Sequence, residues 1–331
     1  MEHIKNIFRD MGKHIVNGIK YAIPIIIVYS VFLALVNSNI IKSTNFDISE
    51  YVYLLIIPVL TAFIANSISE KITIIPAFIL GIFLERWGLG FLGGIFGGLF
   101  LGYLVRCISS KIKIKNSIIN LLVGYIVLGG IAFVISYYAM NYLVRPGIVE
   151  LLETVTNYIV GIDSTQVVFL VLILSFLTVV DLGGPFNKLA FGFVLQFYLD
   201  GFYHITGPVL LSVVLPPIGV YLGLKLLPNR FNEDDHKSSK LALIGGLFGM
   251  TEGALQVGFR RPLVIIPILL IGSIVGSVGA VLLGLENSMM LTGIFGLFGV
   301  SSILVYLGCL IVGASIIFVL MLLLLPKKVV E

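Results

Sequence analysis

The chain has 331 residues, of which 58% are hydrophobic and only 11% are charged, and its formal net charge at pH 7 is +4. Soluble domains average about 25% charged residues, so this chain lacks the side chains that a hydrated surface requires. Its mean hydropathy of +1.10 therefore predicts an integral membrane protein. No basic stripe with interleaved aromatic residues occurs, which argues against a nucleic-acid-binding surface.

Long apolar runs predict an all-α protein that crosses the membrane about ten times, because a hydrocarbon core of about 30 Å needs roughly 20 helical residues. Eight runs approach this length: residues 15–36, 51–68, 89–105, 118–140, 166–180, 206–227, 262–283 and 303–325. Two shorter runs, residues 72–84 and 188–199, predict half-length or tilted spans. No small-residue cleavage site follows the first run, so we expect a retained span rather than a signal peptide.

The distribution of Lys and Arg predicts that both termini are cytoplasmic, because positively charged short loops stay on the cytoplasmic side. Basic residues cluster near the N-terminus, after the fourth run, between residues 225 and 240, and in the tail: Lys5, Arg9, Lys13, Lys20; Arg106, Lys111, Lys113, Lys115; Lys225, Arg230, Lys237, Lys240; Lys327, Lys328. Segments 37–50 and 141–163 carry more acidic than basic residues. We predict that these two are outer loops.

One strongly polar stretch, residues 228–237, interrupts the chain. We predict a cytoplasmic loop at residues 228–240, between eight helices in residues 1–227 and the last helices in residues 241–331. This loop is too short for a folded domain. We therefore predict a single membrane domain over residues 1–331, with no soluble domain attached.

Polar residues follow directly on an apolar run at residues 180–188, Val-Asp-Leu-Gly-Gly-Pro-Phe-Asn-Lys. The Gly-Gly-Pro turn should end a helix, because proline has no amide donor and glycine accepts unusual backbone angles. Asp181, Asn187 and Lys188 would then place polar groups beside exposed backbone. A purely structural alternative is a cytoplasmic turn in which Asp181 pairs with Lys188.

A second interruption places Glu252 in the Gly-rich apolar segment 245–256. The segment is too short for two full crossings, so we predict a re-entrant hairpin whose tip presents Thr251 and Glu252. A carboxylate suits a sugar, because it accepts several charge-assisted hydrogen bonds from hydroxyl groups. The structural alternative is an ion pair between Glu252 and Arg260 or Arg261.

Glycines recur every four residues at Gly90, Gly94, Gly98 and Gly102. This spacing places them on one helix face, where small residues let two helices approach closely. We predict a packing face there. A phosphate-binding loop is not predicted, since the Lys-Ser/Thr pair is absent. The cysteines, Cys107 and Cys309, have no metal-ligand or redox spacing, and the sequence predicts no catalytic residue, metal or cofactor.

Five short motifs have counterparts in one known family. Residues 18–24 are similar to Gly-x-Ser-Tyr-Met-x-Pro, and residues 90–105 to a Gly-Phe-Leu-Gly-(Gly/Ala)…Ala-Gly-Tyr helix. Residues 181–188 resemble Asp-Met-Gly-Gly-Pro-Val-Asn-Lys, residues 216–219 resemble Pro-Pro-Leu-Gly, and residues 251–254 match Thr-Glu-Gly-Ala. In this order the motifs resemble the IIC membrane component of the fructose family of bacterial phosphoenolpyruvate-dependent sugar phosphotransferase systems, over nearly the whole chain.

The resemblance implies a homodimeric permease for fructose or a related sugar in the bacterial cytoplasmic membrane. It also implies separate IIA and IIB proteins, of which IIB phosphorylates the sugar, because the phospho-carrying His and Cys of those components have no counterpart here. The chain would then be a translocation subunit without a phosphoryl-carrying residue. The expected sugar ligands are Glu252 and Thr251, in a site lined or shaped by Asn187 and Asp181. Tight backbone is expected at Gly183, Gly184, Gly249 and Gly253.

Two departures from the family pattern leave the substrate and the activity open. The family has Ala-Asp-Pro-Leu-Arg where residues 260–264 read Arg-Arg-Pro-Leu-Val, and Pro-His-Gly-Gly where residues 291–294 read Leu-Thr-Gly-Ile. The extra arginines raise the hypothesis of an anionic sugar derivative, and the missing histidine that of a transport-inactive sensor or scaffold. A secondary transporter driven by protons or sodium would share the broken helices and the membrane carboxylate.

Overall fold

The computed structural model describes residues 2–37, 48–110, 128–161 and 163–327, which are almost entirely helical. Apart from one isolated antiparallel bridge between Asn287 and Val300, these residues contain no β-structure. Within these described residues, six stretches are long and apolar enough to cross a membrane: Asp10–Phe32, Tyr51–Arg86, Gly90–Ser109, Tyr203–Leu226, Pro262–Leu282 and Ile303–Leu324. The protein is therefore an all-α, multi-pass membrane protein, as predicted.

The first of two compact units comprises Met1–Gly161. Its described part contains seven helices: α1 (Glu2–Asn37), α2 (Ile48–Tyr53), α3 (Ile56–Ser69), α4 (Ile74–Arg86), α5 (Gly90–Ser109), α6 (Gly129–Ala139) and α7 (Arg145–Gly161). A 3₁₀ turn at Glu70–Thr73 joins α3 to α4, and a π-helical turn at Met140–Val144 joins α6 to α7. Lys111, Lys113 and Lys115 and the first part of the predicted run 118–140 lie outside the described residues.

The glycine face of α5 packs against α3, as its spacing predicted. A Cβ atom at Gly98 would lie 2.8 Å from both the carbonyl oxygen of Thr61 and Cβ of Ile64. A Cβ atom at Gly102 would lie 2.8 Å from Cδ1 of Ile68. These distances leave no space for a methyl group, so the close approach of the two helices requires glycine.

The acidic segment 141–163 is mostly helical rather than an irregular loop, and its location on the outer side of the membrane stays a prediction. Its residues form the π-helical turn and α7. Within it, Arg145 donates a hydrogen bond of 3.2 Å to Oδ1 of Asn141 and lies 5.7 Å from the ring centroid of Trp87. The prediction used charge alone, and charge bears on the side of the membrane rather than on helix formation.

The second compact unit comprises Ile162–Glu331. Its described part contains eight helices: α8 (Ser164–Val180), α9 (Pro185–Leu199), α10 (Tyr203–Leu226), α11 (Glu233–Lys237), α12 (Ser239–Phe248), α13 (Leu255–Arg260), α14 (Pro262–Leu282) and α15 (Ile303–Leu324). Shorter 3₁₀ turns occur at Pro228–Arg230, Thr251–Ala254 and Phe295–Phe298.

Helix α10 is largely buried in this unit and contains the Pro-Pro-Ile-Gly motif at residues 216–219. Glycines on α10 let α15 pack directly on its backbone. A Cβ atom at Gly219 would lie 2.5 Å from Cγ2 of Ile317, and one at Gly223 would lie 2.5 Å from Sδ of Met321. Gly219 of the motif, together with Gly223, therefore allows the close packing of α10 and α15 in the core of the unit.

The polar segment 228–240 folds onto the same unit. Asn232 and Asp235 form a capping box at the start of α11, which satisfies amide groups that a helix start leaves free. Nη1 of Arg230 donates to the carbonyl oxygens of Leu322 and Leu325, at 2.5 and 2.6 Å. A cation at the C-terminal end of α15 is favourable, because the helix dipole is negative there.

Candidate functional site

Asp181 organises the tight turn between α8 and α9. Its carboxylate accepts hydrogen bonds from the backbone amides of Phe186, at 2.6 Å, and Asn187, at 3.0 Å. These amides belong to the first turn of α9, where a negative charge is favoured. Leu182 and Gly183 have φ angles of +46° and +106°, and for a leucine this conformation costs about 1–2 kcal/mol. Complete burial of Leu182 offsets that cost.

Asn187 connects this turn to the Thr251–Ala254 turn. Its Nδ2 donates to the carbonyl oxygen of Thr178 at 2.6 Å and to Oγ1 of Thr251 at 3.1 Å. Asn187 and Thr251 are both buried. Since a buried polar group without a partner costs about 1–3 kcal/mol, these bonds hold together two turns that lie 64 residues apart in the sequence.

Glu252 lies beside the same contact and is paired with Lys188. Nζ of Lys188 donates to Oε1 of Glu252 at 2.8 Å. The lysine side chain is 13% exposed and the glutamate side chain 47% exposed. A Cβ atom at Gly183 would lie 2.7 Å from Cγ of Glu252, so the glutamate rests against the turn backbone. No donor among the described residues contacts Oε2 of this carboxylate.

Two glycines hold the Thr251–Ala254 turn against α12. The helix ends at Gly249, with φ +69°, and the amide of Met250 donates to the carbonyl oxygen of Gly245 at 2.7 Å. The amide of Gly249 donates to the same carbonyl oxygen, so a left-handed glycine closes the C-terminal end of α12. A Cβ atom at Gly253 would lie 3.0 Å from Cα of Gly245, so the two backbones are in contact. The segment is thus a broken helix.

Six of the seven predicted site residues surround the paired turns, and they are Asp181, Gly183, Gly184, Asn187, Thr251 and Glu252. The seventh, Gly253, is part of the Thr251–Ala254 turn but faces α12 rather than the turn between α8 and α9. Lys188, which was grouped with Asp181 and Asn187 from the sequence but not named as a site residue, also belongs to the group. Its place in the first turn of α9 was a usable signal, because a cation is disfavoured at a helix N-terminus.

Arg260 forms ion pairs with two carboxylates of helix α11. Its Nε lies 3.2 Å from Oδ1 of Asp235, and its Nη1 lies 3.7 Å from Oδ2 of Asp234. A hydrogen bond from Lys237, together with the charges of Lys237 and Arg260, holds the pKa of the exposed Asp234 carboxyl below its usual value. The positive charge of Arg260 is therefore balanced by the carboxylates of this helix.

Arg261 is also occupied, since its Nη1 donates to the carbonyl oxygen of Arg230 at 3.1 Å. Glu252 pairs with Lys188 and with neither Arg260 nor Arg261. The structural alternative of an arginine partner for Glu252 is therefore wrong.

Thr292 occupies the position where the family motif has histidine. Its Oγ1 donates to the carbonyl oxygen of Leu210 at 3.0 Å, and its Cγ2 would lie 2.3 Å from a Cβ atom at Gly249. Tyr306 donates to the carbonyl oxygen of Gly293 at 3.2 Å. The residues that replace the family motif thus pack against the end of α12, two residues before Thr251.

Comparison with known proteins finds several relatives. The chain is 27% identical over 336 aligned positions to the fructose-like permease IIC component 2 of Escherichia coli K12, covering 96% of this chain and 91% of that protein. It is 26% identical over 278 positions to the fructose permease IIC component of Bacillus amyloliquefaciens, covering 82% and 89%. No family model and no solved structure matches the chain.

A further relative is larger. The chain is 28% identical over 346 positions to the 2-O-alpha-mannosyl-D-glycerate-specific EIIABC component of Escherichia coli K12, covering 95% of this chain and 51% of that protein. The chain thus spans about half the length of this relative. Together these relatives confirm the resemblance to the fructose-type IIC components.

Proposed function

We propose that this chain is the IIC permease component of a sugar phosphotransferase system and that it carries fructose or a related sugar across the bacterial cytoplasmic membrane. One observation supports this proposal above the others. The two motifs that contain the ionisable residues, at residues 181–188 and 251–254, meet through Asn187, Lys188, Thr251 and Glu252. They place a half-exposed carboxylate beside a rigid turn.

Glu252 is the proposed sugar ligand, because a carboxylate accepts charge-assisted hydrogen bonds from hydroxyl groups and its side chain is accessible. Thr251 is buried and accepts a hydrogen bond from Asn187. We assign to Thr251 mainly the support of the turn, with its hydroxyl proton still able to donate. Asp181 shapes the site by capping α9.

The charges of the site favour a neutral sugar. Glu252 and Lys188 form an ion pair without net charge, and Arg260 is balanced by Asp234 and Asp235. The hypothesis of an anionic sugar derivative required an arginine whose charge was free to meet the substrate. The Lys188–Glu252 pair and the paired Arg260 therefore favour fructose or another uncharged sugar over a carboxylated one, whereas Arg261, among the described residues, donates only to a backbone carbonyl oxygen.

Phosphorylation would be supplied by partners. Some relatives are named as EIIABC components, and this chain spans about half of their length. We propose that the IIA and IIB functions come from separate proteins and that IIB meets the sugar at the cytoplasmic face. We also propose that the chain forms a single membrane domain with about ten crossings and cytoplasmic termini, and that two copies form a homodimer.

A reconstitution experiment tests the function. Inverted vesicles that contain the protein and enclose labelled fructose would receive phosphoenolpyruvate, the general carrier proteins and fructose-type IIA and IIB. We expect labelled sugar phosphate, which should be nearly lost in Glu252→Gln and retained in Glu153→Gln, a change at an exposed carboxylate on α7. An inserted protein with active partners that forms no sugar phosphate contradicts the proposal. Release of unmodified sugar from the vesicles that stops when the ion gradient is dissipated would indicate a secondary transporter.

A further inference from the structure

Lys188 is a cation at a costly position. Only 13% of its side chain is exposed, and a buried ammonium group is unfavourable unless it is paired. Helix α9 begins at Pro185, so Lys188 lies in its first turn, where the positive end of the helix dipole disfavours a cation. Both costs require a compensating negative charge.

Glu252 provides that charge. Nζ of Lys188 lies 2.8 Å from Oε1 of Glu252 and 3.5 Å from Oδ1 of Asn187. The acid closest in sequence, Asp181, directs its two oxygens to backbone amides of α9. In the described part of the chain, Lys188 makes no other ion pair.

The Glu252 carboxylate has a fixed direction. Its Cγ and Cδ would lie 2.7 and 2.8 Å from a Cβ atom at Gly183, so the side chain rests directly on the turn. Oε1 is held by Lys188, and no described donor reaches Oε2. Because the glutamate side chain is 47% exposed, the carboxylate can still accept a hydrogen bond from a ligand.

We propose that Lys188 is a positioning residue of the sugar site. It binds Oε1 of Glu252 and so directs Oε2 toward a hydroxyl group of an uncharged sugar. Lys188 also cancels the charge of the carboxylate, which removes the electrostatic preference for a cationic ligand. The inference rests on the proposed permease function and extends it to the residue that orients the sugar acceptor.

Sugar binding to purified protein in nanodiscs tests this inference without IIA or IIB. Lys188→Met removes the charge and keeps an unbranched side chain. We expect the dissociation constant for labelled fructose to rise about tenfold, since one charge-assisted hydrogen bond orients the acceptor. Lys188→Arg restores the charge and the donors and should recover part of the affinity, because arginine differs from lysine in geometry.

Lys240→Met is the matched control. Lys240 is an exposed lysine in the first turn of α12, in the same unit, and forms no ion pair among the described residues. Its substitution should leave sugar binding unchanged. Thermal unfolding of each variant separates a lost fold from a lost orientation. If Lys188→Met does not fold, Lys188→Gln takes its place and should also lose affinity, although less, because a neutral donor binds Oε1 more weakly than an ammonium group does.

The outcomes are distinguishable. Wild-type affinity in Lys188→Met overturns the positioning role and leaves the permease function intact. Weak binding that parallels a lower melting temperature, and that Lys188→Arg does not relieve, assigns Lys188 a structural role and also overturns the inference. If the wild-type protein binds neither fructose nor any other sugar of a neutral panel, the proposed function fails and the inference fails with it.

Discussion

Gly183 determines where the Glu252 side chain can lie. Its φ of +106° is accessible to glycine at little cost, and its missing side chain leaves the space that Cγ and Cδ of Glu252 occupy. Gly183 therefore has two roles. Its positive φ allows the tight turn, and its missing side chain leaves space for Glu252. The two roles can be separated, because Gly201 shares the first but not the second.

Gly183→Ala should weaken sugar binding, because the new Cβ atom would lie 2.7 Å from Cγ of Glu252 and displace the carboxylate. Gly201→Ala is the matched control, since Gly201 has φ +81° and no neighbouring atom within 4 Å of a Cβ position. We expect both variants to lose about 1 kcal/mol of stability from backbone strain, and only Gly183→Ala to lose fructose affinity. Equal affinities, measured with labelled fructose, would show that Glu252 does not depend on Gly183.

Asn187→Asp should destabilise the protein although the two side chains have nearly the same shape. A carboxylate cannot donate to the carbonyl oxygen of Thr178, so the buried contact at 2.6 Å becomes repulsive. We expect a loss of about 1–3 kcal/mol in the free energy of unfolding, measured by thermal or denaturant unfolding in detergent. Asn229→Asp makes the same change at an exposed position and should be nearly neutral. A wild-type melting temperature in Asn187→Asp would show that the hydrogen bonds of Asn187 to Thr178 and Thr251 do not stabilise the fold.

At the residue scale, the sequence predicted which side chains form the candidate group but not how they pair. Asp181, Asn187 and Glu252 stand out because polar residues rarely interrupt an apolar run without a purpose. The ion pair between Lys188 and Glu252 joins residues 64 positions apart in the sequence. Helix periodicity and short motifs cannot predict a contact over that distance. Charge alone therefore suggested two wrong partners, Asp181 for Lys188 and an arginine for Glu252.

At the element scale, the broken helix α12–α13 depends on contact between backbones. Gly245 of α12 meets Gly253 of the Thr251–Ala254 turn, where a Cβ atom on Gly245 would lie 2.7 Å from Cα of Gly253 and 2.8 Å from the carbonyl oxygen of Met250. Neither neighbour is a flexible side chain that could move aside. The position of Glu252 relative to α9 therefore depends on Gly245, a residue without a side chain.

Gly245→Ala should push the Thr251–Ala254 turn away from α12 and so separate Thr251 from Asn187. Alanine is otherwise the better helix former by about 1 kcal/mol, and Gly308→Ala on α15 serves as control because no atom lies within 4 Å of its Cβ position. We expect Gly245→Ala to lower both the melting temperature and the affinity for fructose. Gly308→Ala should leave both unchanged or raise the melting temperature. A neutral Gly245→Ala would contradict the close packing of the turn.

Helix lengths and periodicities were predictable where the run was apolar. The predicted runs 166–180 and 262–283 correspond to α8 (Ser164–Val180) and α14 (Pro262–Leu282). Helix α7 was not predicted from the sequence, because its charged residues are also typical of a loop. Nothing else in its composition indicated a helix. Helix α11 was missed for a similar reason, although its capping box is a local signal that could have identified it.

At the scale of the whole molecule, the orientation in the membrane depends on loop charges rather than on helix packing. The C-terminal end of α5 carries Arg106 and exposes Cys107, whereas Cys309 of α15 is buried. The proposed orientation places the basic end of α5 in the cytoplasm. The two native cysteines therefore provide a reporter and an internal control for that orientation.

A membrane-impermeant maleimide should label Cys107 in inverted vesicles and fail to label it in right-side-out vesicles. Cys309 should stay unlabelled in both, since burial prevents access, and Cys107→Ser should abolish the signal. Both cysteines should react after denaturation in detergent, which checks the reagent. Labelling of Cys107 in right-side-out vesicles would place the basic end of α5 outside the cell. That result would invert the positive-inside orientation and also put IIB on the wrong side of the proposed site.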